Sequence, residues 1–177
     1  MRLVFKGWVM AEHEPCIGAT SDWYTPKFIF DALGLTFDLD PASPGPGLCH
    51  VPALRTYTKA DDGLQQPWFG LTWLNPPFGG RRGQVPWLRN FFTHGNGIAL
   101  CAARTSADWF HKVVVPSAQL LCFPNGKTKF HRPNGSVGKE PGTGIVLIGM
   151  GAVANEALLR SQIGCCMHIV GPPNAQP

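Results

Sequence analysis

Hydrophobic residues recur at helical or strand spacing along most of the chain from Thr25 onward. Thr25 is a suitable N-cap and Pro26 a suitable first residue for a helix, and apolar residues then recur at helical spacing until Gly34. Residues 36–40 alternate between apolar and polar side chains and stop at Pro41, which predicts a strand that ends in a carboxylate. The first twenty residues show no clear periodicity.

Similar patterns farther along the chain predict strands that alternate with helices. Strands are predicted at residues 71–74, 98–102, 120–123, 127–130, 144–148 and 167–170, and helices at residues 87–92, 106–115 and 156–163. We expect the strands at 127–130 and 144–148 to be antiparallel partners. This order is typical of an α/β sheet with right-handed crossovers. The sequence therefore predicts a single α/β domain over residues 1–177, with flexible ends at 1–20 and 171–177.

The composition is that of an ordinary globular protein, with 177 residues of which 44% are apolar and 15% are charged. No apolar run approaches the ~20 residues of a membrane span, and residues 3–10 are too short and interrupted for a secretory signal. We therefore expect a cytoplasmic protein. The six cysteines are scattered without a Cys-x-x-Cys pair, and the histidines are equally dispersed. This spacing predicts reduced thiols and no metal site.

Basic and acidic residues are unevenly distributed along the chain. Residues 1–80 contain five basic and eight acidic residues, whereas residues 81–139 contain nine basic residues and one acidic residue, Asp108. An excess of positive charge favours a polyanion, and nucleic acid is the partner that we expect. A solvated basic surface without a specific ligand is the alternative. The residues expected to contact nucleic acid are Arg81, Arg82, Arg104, Lys127 and Lys129.

The chemistry of the chain is indicated most clearly by four consecutive residues after the predicted strand at 71–74, namely Asn75, Pro76, Pro77 and Phe78. The two prolines restrict the backbone, so the Asn75 side chain and the Pro76 carbonyl are held at a fixed spacing. Both groups accept hydrogen bonds from an amine, and Phe78 is suited to stack on the ring that carries it. The alternative is that the prolines merely end a strand and Phe78 belongs to the core.

Three of these candidate residues follow predicted strands directly. Asp40, Asn75 and Arg104 each lie at or just past the end of one. Ligands of open α/β sheets bind at the carboxyl ends of the strands. We therefore expect these three side chains to line one crevice.

Several short motifs, taken in order, resemble the phage-type DNA N6-adenine methyltransferases, which are small enzymes often encoded by bacteriophages and prophages. The resemblance covers residues 23–148, about 70% of the chain. Its motifs are Asp22 to Pro26, Phe37 to Ala42, Asp61 to Leu64 with Trp68, Trp73 to Phe78, Ala103 to Thr105 with Trp109 and Phe110, and Lys129 with Phe130. The Asn-Pro-Pro-Phe motif alone is shared by enzymes that methylate adenine N6, cytosine N4 or glutamine N5.

The resemblance implies a Rossmann-like methyltransferase sheet with helices on both faces and an antiparallel strand near the C-terminus. It implies S-adenosyl-L-methionine as cofactor, a flipped-out adenine in DNA as acceptor, and catalysis by the motif from Asn75 to Phe78. Neither a metal nor an obligate protein partner is implied. The implied cofactor-binding residues are Tyr24, Thr25, Pro26, Asp38, Asp40, Pro41, Asp61 and Asp62. The aspartates could instead be turn-forming or helix-capping carboxylates. Protection of phage DNA from restriction, within bacterial or infected cells, is the biological role that the resemblance implies.

The chain departs from the family pattern at three places. Residues 44–47 read Pro-Gly-Pro-Gly where the family has a glycine-rich cofactor loop, Lys127 replaces a common arginine, and Phe78 replaces the more common tyrosine. Specificity is expected from loops at 79–85 and 127–142, and it is either relaxed or site-selective. The alternatives are methylation of cytosine N4, RNA adenine or protein glutamine, and a catalytically silent DNA-binding prophage module.

Overall fold

The computed structural model describes residues 24–45, 47–77, 83–132, 136–138 and 143–170. Its strands are β1 (Phe37–Asp40), β2 (Ala53–Thr56), β3 (Thr72–Leu74), β4 (Gly97–Ala102), β5 (Leu120–Pro124), β6 (Ile145–Met150) and β7 (Gly164–His168). They form a seven-stranded mixed sheet in the order β2-β1-β3-β4-β6-β5-β7. The α/β class predicted from the sequence is confirmed.

The sheet has a parallel half and an antiparallel half. Strands β2, β1, β3 and β4 pair in parallel, whereas β6 is antiparallel to both β4 and β5, and β7 is antiparallel to β5. The chain passes from β1 to β2 on one side and then returns to form β3 on the other side of β1. The strand order therefore reverses between β1 and β3, and a crevice opens at such a point beyond the carboxyl ends of the strands.

Helices cover the sheet on both of its faces. They are α1 (Lys27–Leu33), α2 (Val85–His94) and α3 (Ala152–Arg160), with a π-helical segment at Phe110–Val114. Successive side chains of β4 point to opposite faces of the sheet. Ile98 and Leu100 pack on one face with residues of α1 and α3. Ala99 and Cys101 pack on the opposite face with residues of α2 and the π-helical segment.

Trp73 fixes the centre of the sheet because its side chain is fully buried on the face that α1 covers. Its ring lies 4.7 Å from the ring of Phe30 on α1, in an edge-to-face arrangement, and 5.6 Å from that of Phe37 on β1. Such aromatic contacts add about 0.5–1.5 kcal/mol to the burial of apolar area. The packing of Trp73 therefore holds α1 and β1 beside β3.

Most predicted elements occur within a few residues of their expected positions, and the first helix shows why small differences arise. Helix α1 ends at Gly34 in the left-handed conformation, as predicted, but its N-cap is Pro26 and no side chain caps it. The hydroxyl of Thr25 contacts Asn75 instead. The helix expected at 156–163 begins earlier, at Ala152, and β7 begins at Gly164 rather than at residue 167.

The sheet differs from the prediction in one strand that was missed, one predicted strand that does not form and the pairing expected for it. The sequence did not predict β2, whose exposed central residues lie at the edge of the sheet and give it no apolar alternation. Residues 127–130 do not form a strand, and the nearest pairing within the described residues consists of isolated bridges at His131. The antiparallel partners of β6 are consequently β4 and β5. The segment 106–115 contains a π-helical stretch at Phe110–Val114 instead of a regular α-helix.

None of the helices within the described ranges is long and apolar enough to cross a membrane.

Replacing Gly97 with alanine should destabilise the protein. Gly97 has φ 146°, and a Cβ added there would lie 2.2 Å from the carbonyl oxygen of Thr72, its partner across β3 and β4. Because both strain and a backbone clash oppose alanine, we expect a loss of about 2 kcal/mol or more in the free energy of unfolding. Urea denaturation measures this loss. The matched control is Gly144→Ala, since no atom lies within 4 Å of that added Cβ. Equal stabilities of the two variants would contradict the role of Gly97.

Candidate active site

The reversal of strand order brings the ends of β1 and β3 together. Strand β1 ends at Asp40, and β3 ends at Leu74, immediately before Asn75. These strands are parallel neighbours, so both residues lie at the edge of the sheet where the parallel strands end, which we call the carboxyl edge. The expectation that Asp40 and Asn75 share one edge of the sheet agrees with this topology.

Asn75 contacts the start of α1 across the carboxyl edge. Its Nδ2 donates a hydrogen bond to Thr25 Oγ1 over 3.5 Å, and Thr25 is only 2% exposed. The Asn75 side chain is itself partly buried, and its Oδ1 atom is shielded from solvent. Pro76 is buried and Pro77 is exposed. The strand end and the helix start thus form one packed unit.

Tyr24 fixes the backbone just before Thr25. Its N–H donates to the carbonyl oxygen of His131, and His131 N–H donates to the Tyr24 carbonyl, each over 2.9 Å. The pair forms an antiparallel bridge, and His131 bridges to Val137 on its other side. Tyr24 is buried. This bridge joins the segment that includes Lys127 and Lys129 to the residues that contact Asn75.

Asp40 is a buried carboxyl group at the end of β1, with 3% of its surface exposed. Its Oδ1 accepts a hydrogen bond from Ala42 N–H over 3.1 Å. Burial raises the pKa of Asp40 from 3.8 to about 7, although hydrogen bonds from Ala42 and Ser43 oppose the rise. Desolvation dominates because it disfavours the charged form. A cation placed beside this carboxyl group would be attracted strongly and would favour its ionised form.

A cavity of about 300 Å³ lies beside β2 and the loop that follows Asp40, although Asp40 itself does not line it. Ser43, whose hydroxyl hydrogen bonds to Asp40, lines it together with Cys49 and Thr56. Burial is the main cause that raises the pKa of the Cys49 thiol, and the charge of Asp40 contributes. The volume is at the lower end of small-molecule sites, which span about 300–1,000 Å³.

The segment that contains Asp61 and Asp62 docks against the end of β1. A Cβ added to Gly63 would lie 2.0 Å from the Pro41 carbonyl oxygen, so this glycine permits the close approach. Trp68 Nε1 donates to the Gly63 carbonyl over 2.8 Å and holds the turn closed. This segment therefore forms a wall beside Pro41.

The carboxylates of the two aspartates in this wall face solvent. Asp61 Oδ2 accepts hydrogen bonds from the Thr58 hydroxyl and the Thr58 backbone N–H, each over 2.7 Å. These two bonds, the hydroxyl first, lower the pKa of Asp61. Asp62 adopts a left-handed backbone with φ 50°. Both residues thus have the turn chemistry that was the alternative to a cofactor contact, and that contact stays a prediction.

Asp38 has a structural hydrogen bond away from the carboxyl edge. Its Oδ2 accepts from Leu71 N–H over 2.6 Å, at the residue before β3 begins. Gly70 lies against the same carboxylate, since a Cβ added there would be 2.1 Å from Asp38 Oδ2. The geometry assigns this side chain to the pairing of β1 with β3, and its cofactor contact stays a prediction.

The described basic residues of the predicted interface lie beyond the ends of two strands. Arg104 follows β4, and Lys127 and Lys129 follow β5, which runs in the same direction as β4. All three are exposed. They therefore belong to the same edge of the sheet as Asn75. Phe78, Arg81 and Arg82 lie outside the described residues.

Sequence patterns alone missed Ser43, Cys49 and Thr56. Each is a common small residue in a stretch without periodicity, and only the path of the chain from β1 to β2 brings them together. The available signal was the Pro-Gly-Pro-Gly stretch at 44–47, which indicates a tight loop directly after Asp40.

Among known proteins, no family model, curated protein or solved structure matches this chain. The functional argument consequently depends on the residues of the site and on their geometry.

Asp40 should make the stability of the protein depend on pH. Its pKa is about 7 in the folded state and 3.8 as a free side chain, so the folded state retains a proton that the unfolded chain releases. This contribution to the free energy of unfolding is fully present below about pH 4 and is lost as the pH rises through about 7. The total loss is up to about 4 kcal/mol.

The test compares the wild type with Asp40→Asn by urea denaturation at about pH 5 and about pH 8. The variant should gain stability relative to the wild type as the pH rises, because asparagine does not ionise. A stability difference between the two proteins that is equal at both pH values would contradict a raised pKa of the buried Asp40 carboxyl group.

Proposed function

We propose that the chain is an S-adenosyl-L-methionine-dependent DNA methyltransferase that acts on N6 of adenine and has a Rossmann-like sheet. The observation that carries the proposal is the placement of Asp40 and Asn75 at the carboxyl ends of neighbouring parallel strands, where the strand order reverses. One is a buried acid suited to a cation, and the other is an amide suited to an amine. An enzyme that transfers a group from a cationic donor to an amine can use both.

The acceptor amine is positioned by the Asn75 motif. Asn75 Oδ1 and the Pro76 carbonyl accept hydrogen bonds from the two N6–H groups, which directs the nitrogen lone pair toward the methyl donor. Phe78 stacks on the base after it leaves the helix, and this stacking, worth about 1–3 kcal/mol per base, partly offsets the cost of unstacking. Alignment and exclusion of water then supply most of the rate.

The cofactor fits the chemistry of the residues around β1. Tyr24, Thr25 and Pro26 are the residues proposed to hold its methionine portion, and Asp40 with Pro41 the residues beside its charged groups. When bound, the cofactor supplies an electrophilic methyl group on a sulfonium ion. The burial of Asp40, which is 3% exposed, supports this assignment. Because a cation favours the ionised carboxylate, binding should strengthen with rising pH.

The acceptor polymer is proposed from charge. Arg104, Lys127 and Lys129 are exposed beyond the ends of β4 and β5, at the edge that also carries Asn75. Positive charge beside an amine-binding crevice favours a phosphate backbone over a protein substrate. The choice of DNA and of adenine N6 comes from the sequence resemblance, as does a role in protecting phage DNA from restriction.

Product identification tests this proposal. The purified chain is incubated with isotopically labelled S-adenosyl-L-methionine and DNA, RNA or protein, and the product is digested and identified by mass spectrometry. We expect N6-methyladenine in DNA. N4-methylcytosine, methylated RNA or N5-methylglutamine would replace the proposed acceptor. If no methyl group is transferred to any of the substrates, the assignment as a methyltransferase is contradicted, and a catalytically silent DNA-binding module is favoured.

Asn75→Ala should abolish methyl transfer while cofactor binding persists. Loss of a positioned polar group at the reacting atom costs about 100-fold or more in kcat. Asn96→Ala is the matched control, because its Nδ2 also donates a side-chain hydrogen bond, in this case to the Gly70 carbonyl, but Asn96 lies where β4 begins, at the opposite edge of the sheet. The control should lose stability but not transfer. Normal transfer by Asn75→Ala would remove Asn75 from the reaction.

Joint replacement of Arg104, Lys127 and Lys129 by alanine should weaken DNA binding and its dependence on salt. Each phosphate contact contributes about 0.9 to the slope of log K against log salt, so the slope should fall in magnitude by about 2–3. Fluorescence anisotropy with duplex DNA across a salt series measures it. Arg89→Ala, which removes an exposed arginine on α2, is the control. An unchanged slope in the triple variant would exclude these residues from the interface.

A further inference from the structure

Strands β5 and β7 carry two cysteines directly opposite each other. Cys122 of β5 is the partner of Cys166 of β7 in the antiparallel register, and both thiols are free. Strand β7 is the last strand of the sheet. Cys122 is fully buried, whereas Cys166 is partly exposed. The pair therefore lies at an edge of the sheet, with one of its two residues open to solvent.

The backbone hydrogen bonds identify Cys122 and Cys166 as a non-hydrogen-bonded pair. Asn125 N–H donates to the Ile163 carbonyl over 2.9 Å, one position beyond the end of the ladder. Hydrogen-bonded and non-hydrogen-bonded pairs alternate along antiparallel strands, so the pairs at Pro124 and at Cys122 are both of the second kind. Proline suits such a position because it has no N–H. Facing side chains lie closest in pairs of this kind.

The spacing of such a pair is compatible with a disulfide. Its Cα atoms lie about 4.5 Å apart, and disulfides join Cα atoms separated by about 4.4–6.8 Å. The Cys122 and Cys166 side chains are already in contact, because a hydrogen bond joins them. Gly164 permits the close approach of β7, since a Cβ added there would lie 2.6 Å from the Pro124 Cα. An S–S bond therefore requires little movement of either strand.

We propose that Cys122 and Cys166 form a reversible disulfide that links the edge strand β7 to β5. The other described cysteines are not placed to compete. Cys165 is the neighbour of Cys166 on β7, so its side chain points to the opposite face of the sheet. Cys101 packs in the cluster on that opposite face, and Cys49 precedes β2 at the other edge of the sheet. The proposal does not depend on methyl transfer.

Hydrogen peroxide is a two-electron oxidant that accounts for every atom of the reaction. The Cys166 thiolate attacks the peroxide, so an S–O bond forms, the O–O bond breaks, and hydroxide leaves and takes up the proton that Cys166 released. The Cys122 sulfur then attacks the Cys166 sulfur, an S–S bond forms, and the S–O bond breaks. Hydroxide leaves with the Cys122 proton as water. The two thiols lose two electrons and two protons, and the peroxide becomes two water molecules.

The order of these steps follows from the environments of the two thiols. Burial, and secondly the hydrogen bond with Cys166, raise the pKa of Cys122 to about 12. A protonated thiol is a poor nucleophile, so Cys122 reacts second. The Cys166 Sγ donates to the Leu158 carbonyl over 3.6 Å, and oxidation removes this weak contact. The partly exposed residue thus meets the oxidant, and the buried residue completes the bond.

Peptide mapping of the full chain tests the proposal. The reduced protein is treated with a small excess of hydrogen peroxide, its remaining thiols are blocked with N-ethylmaleimide under denaturing conditions, and the digest is analysed by mass spectrometry without reduction. We expect the Cys122 peptide linked to the Cys166 peptide, separable by dithiothreitol, and Cys101 recovered as a blocked thiol. Sulfinic acid at Cys166 without a link, or a main link between other cysteines, would overturn the proposal.

Two variants assign the link to its residues. Cys165 and Cys166 are adjacent in one peptide, so Cys165→Ser is the matched control, and it should form the same link. Cys166→Ser should leave Cys122 as a free thiol. Loss of the link in Cys165→Ser would assign it to the wrong residue and refute the pair.

Oxidation of the unfolded chain shows whether the fold selects the pair. In concentrated urea the strand register is lost, so the links should be spread among the cysteines. The Cys122–Cys166 link at the same yield in urea would contradict selection by the register.

Urea denaturation measures the effect of the link on β7. The equilibrium constant for unfolding should be about 30- to 1,000-fold smaller for the oxidised wild type than for the reduced protein, because the disulfide restricts the unfolded chain. Peroxide-treated Cys166→Ser should show no such change. An oxidised wild type that is no more stable than the reduced protein would contradict the anchoring of β7 by this disulfide.

Discussion

The parallel pairing of β1 with β2 on one side and β3 on the other is the constraint on which the site depends. Because the chain must return across β1 to form β3, the strand order reverses between β1 and β3, which is where ligands of open α/β sheets bind. The buried ring of Trp73 and the hydrogen bond from Leu71 to Asp38 hold this pairing in place. Chemistry at the carboxyl edge is thus a consequence of packing in the centre of the sheet.

Two polar side chains at this edge differ in charge. Asp40 is desolvated enough that its pKa rises to about 7, which makes it responsive to a nearby cation. Asn75 stays neutral, and its Nδ2 lies within hydrogen-bond distance of the Thr25 hydroxyl at the start of α1. A donor with positive charge and an acceptor with an amine meet these two requirements. The exposed basic residues farther along the edge suit a polyanion that carries the amine.

Sequence predicted those parts of the fold in which local pattern and tertiary environment agree. Strands β3 and β4 are continuous apolar runs that are buried, and α1 ends at a glycine that adopts the left-handed conformation. Strand β2 was missed because pairing with β1, not its own pattern, makes it a strand. Asn75 and Asp40 were found because they follow clear strands. The partnership of Thr25 with Asn75 was not predictable, since 50 residues separate them and Thr25 has an equally good local role as a cap.

The central claim is that the crevice between β1 and β3 receives the cofactor beside Asn75. Titration of nitrogen-15-labelled protein with S-adenosyl-L-methionine, followed by backbone and side-chain NMR, tests it most directly. The account predicts saturable shifts concentrated at residues 40–43 and at Thr25 and Asn75. Saturable shifts confined to the opposite edge, around Gly70 and Asn96, or no saturable shift at all, would contradict it.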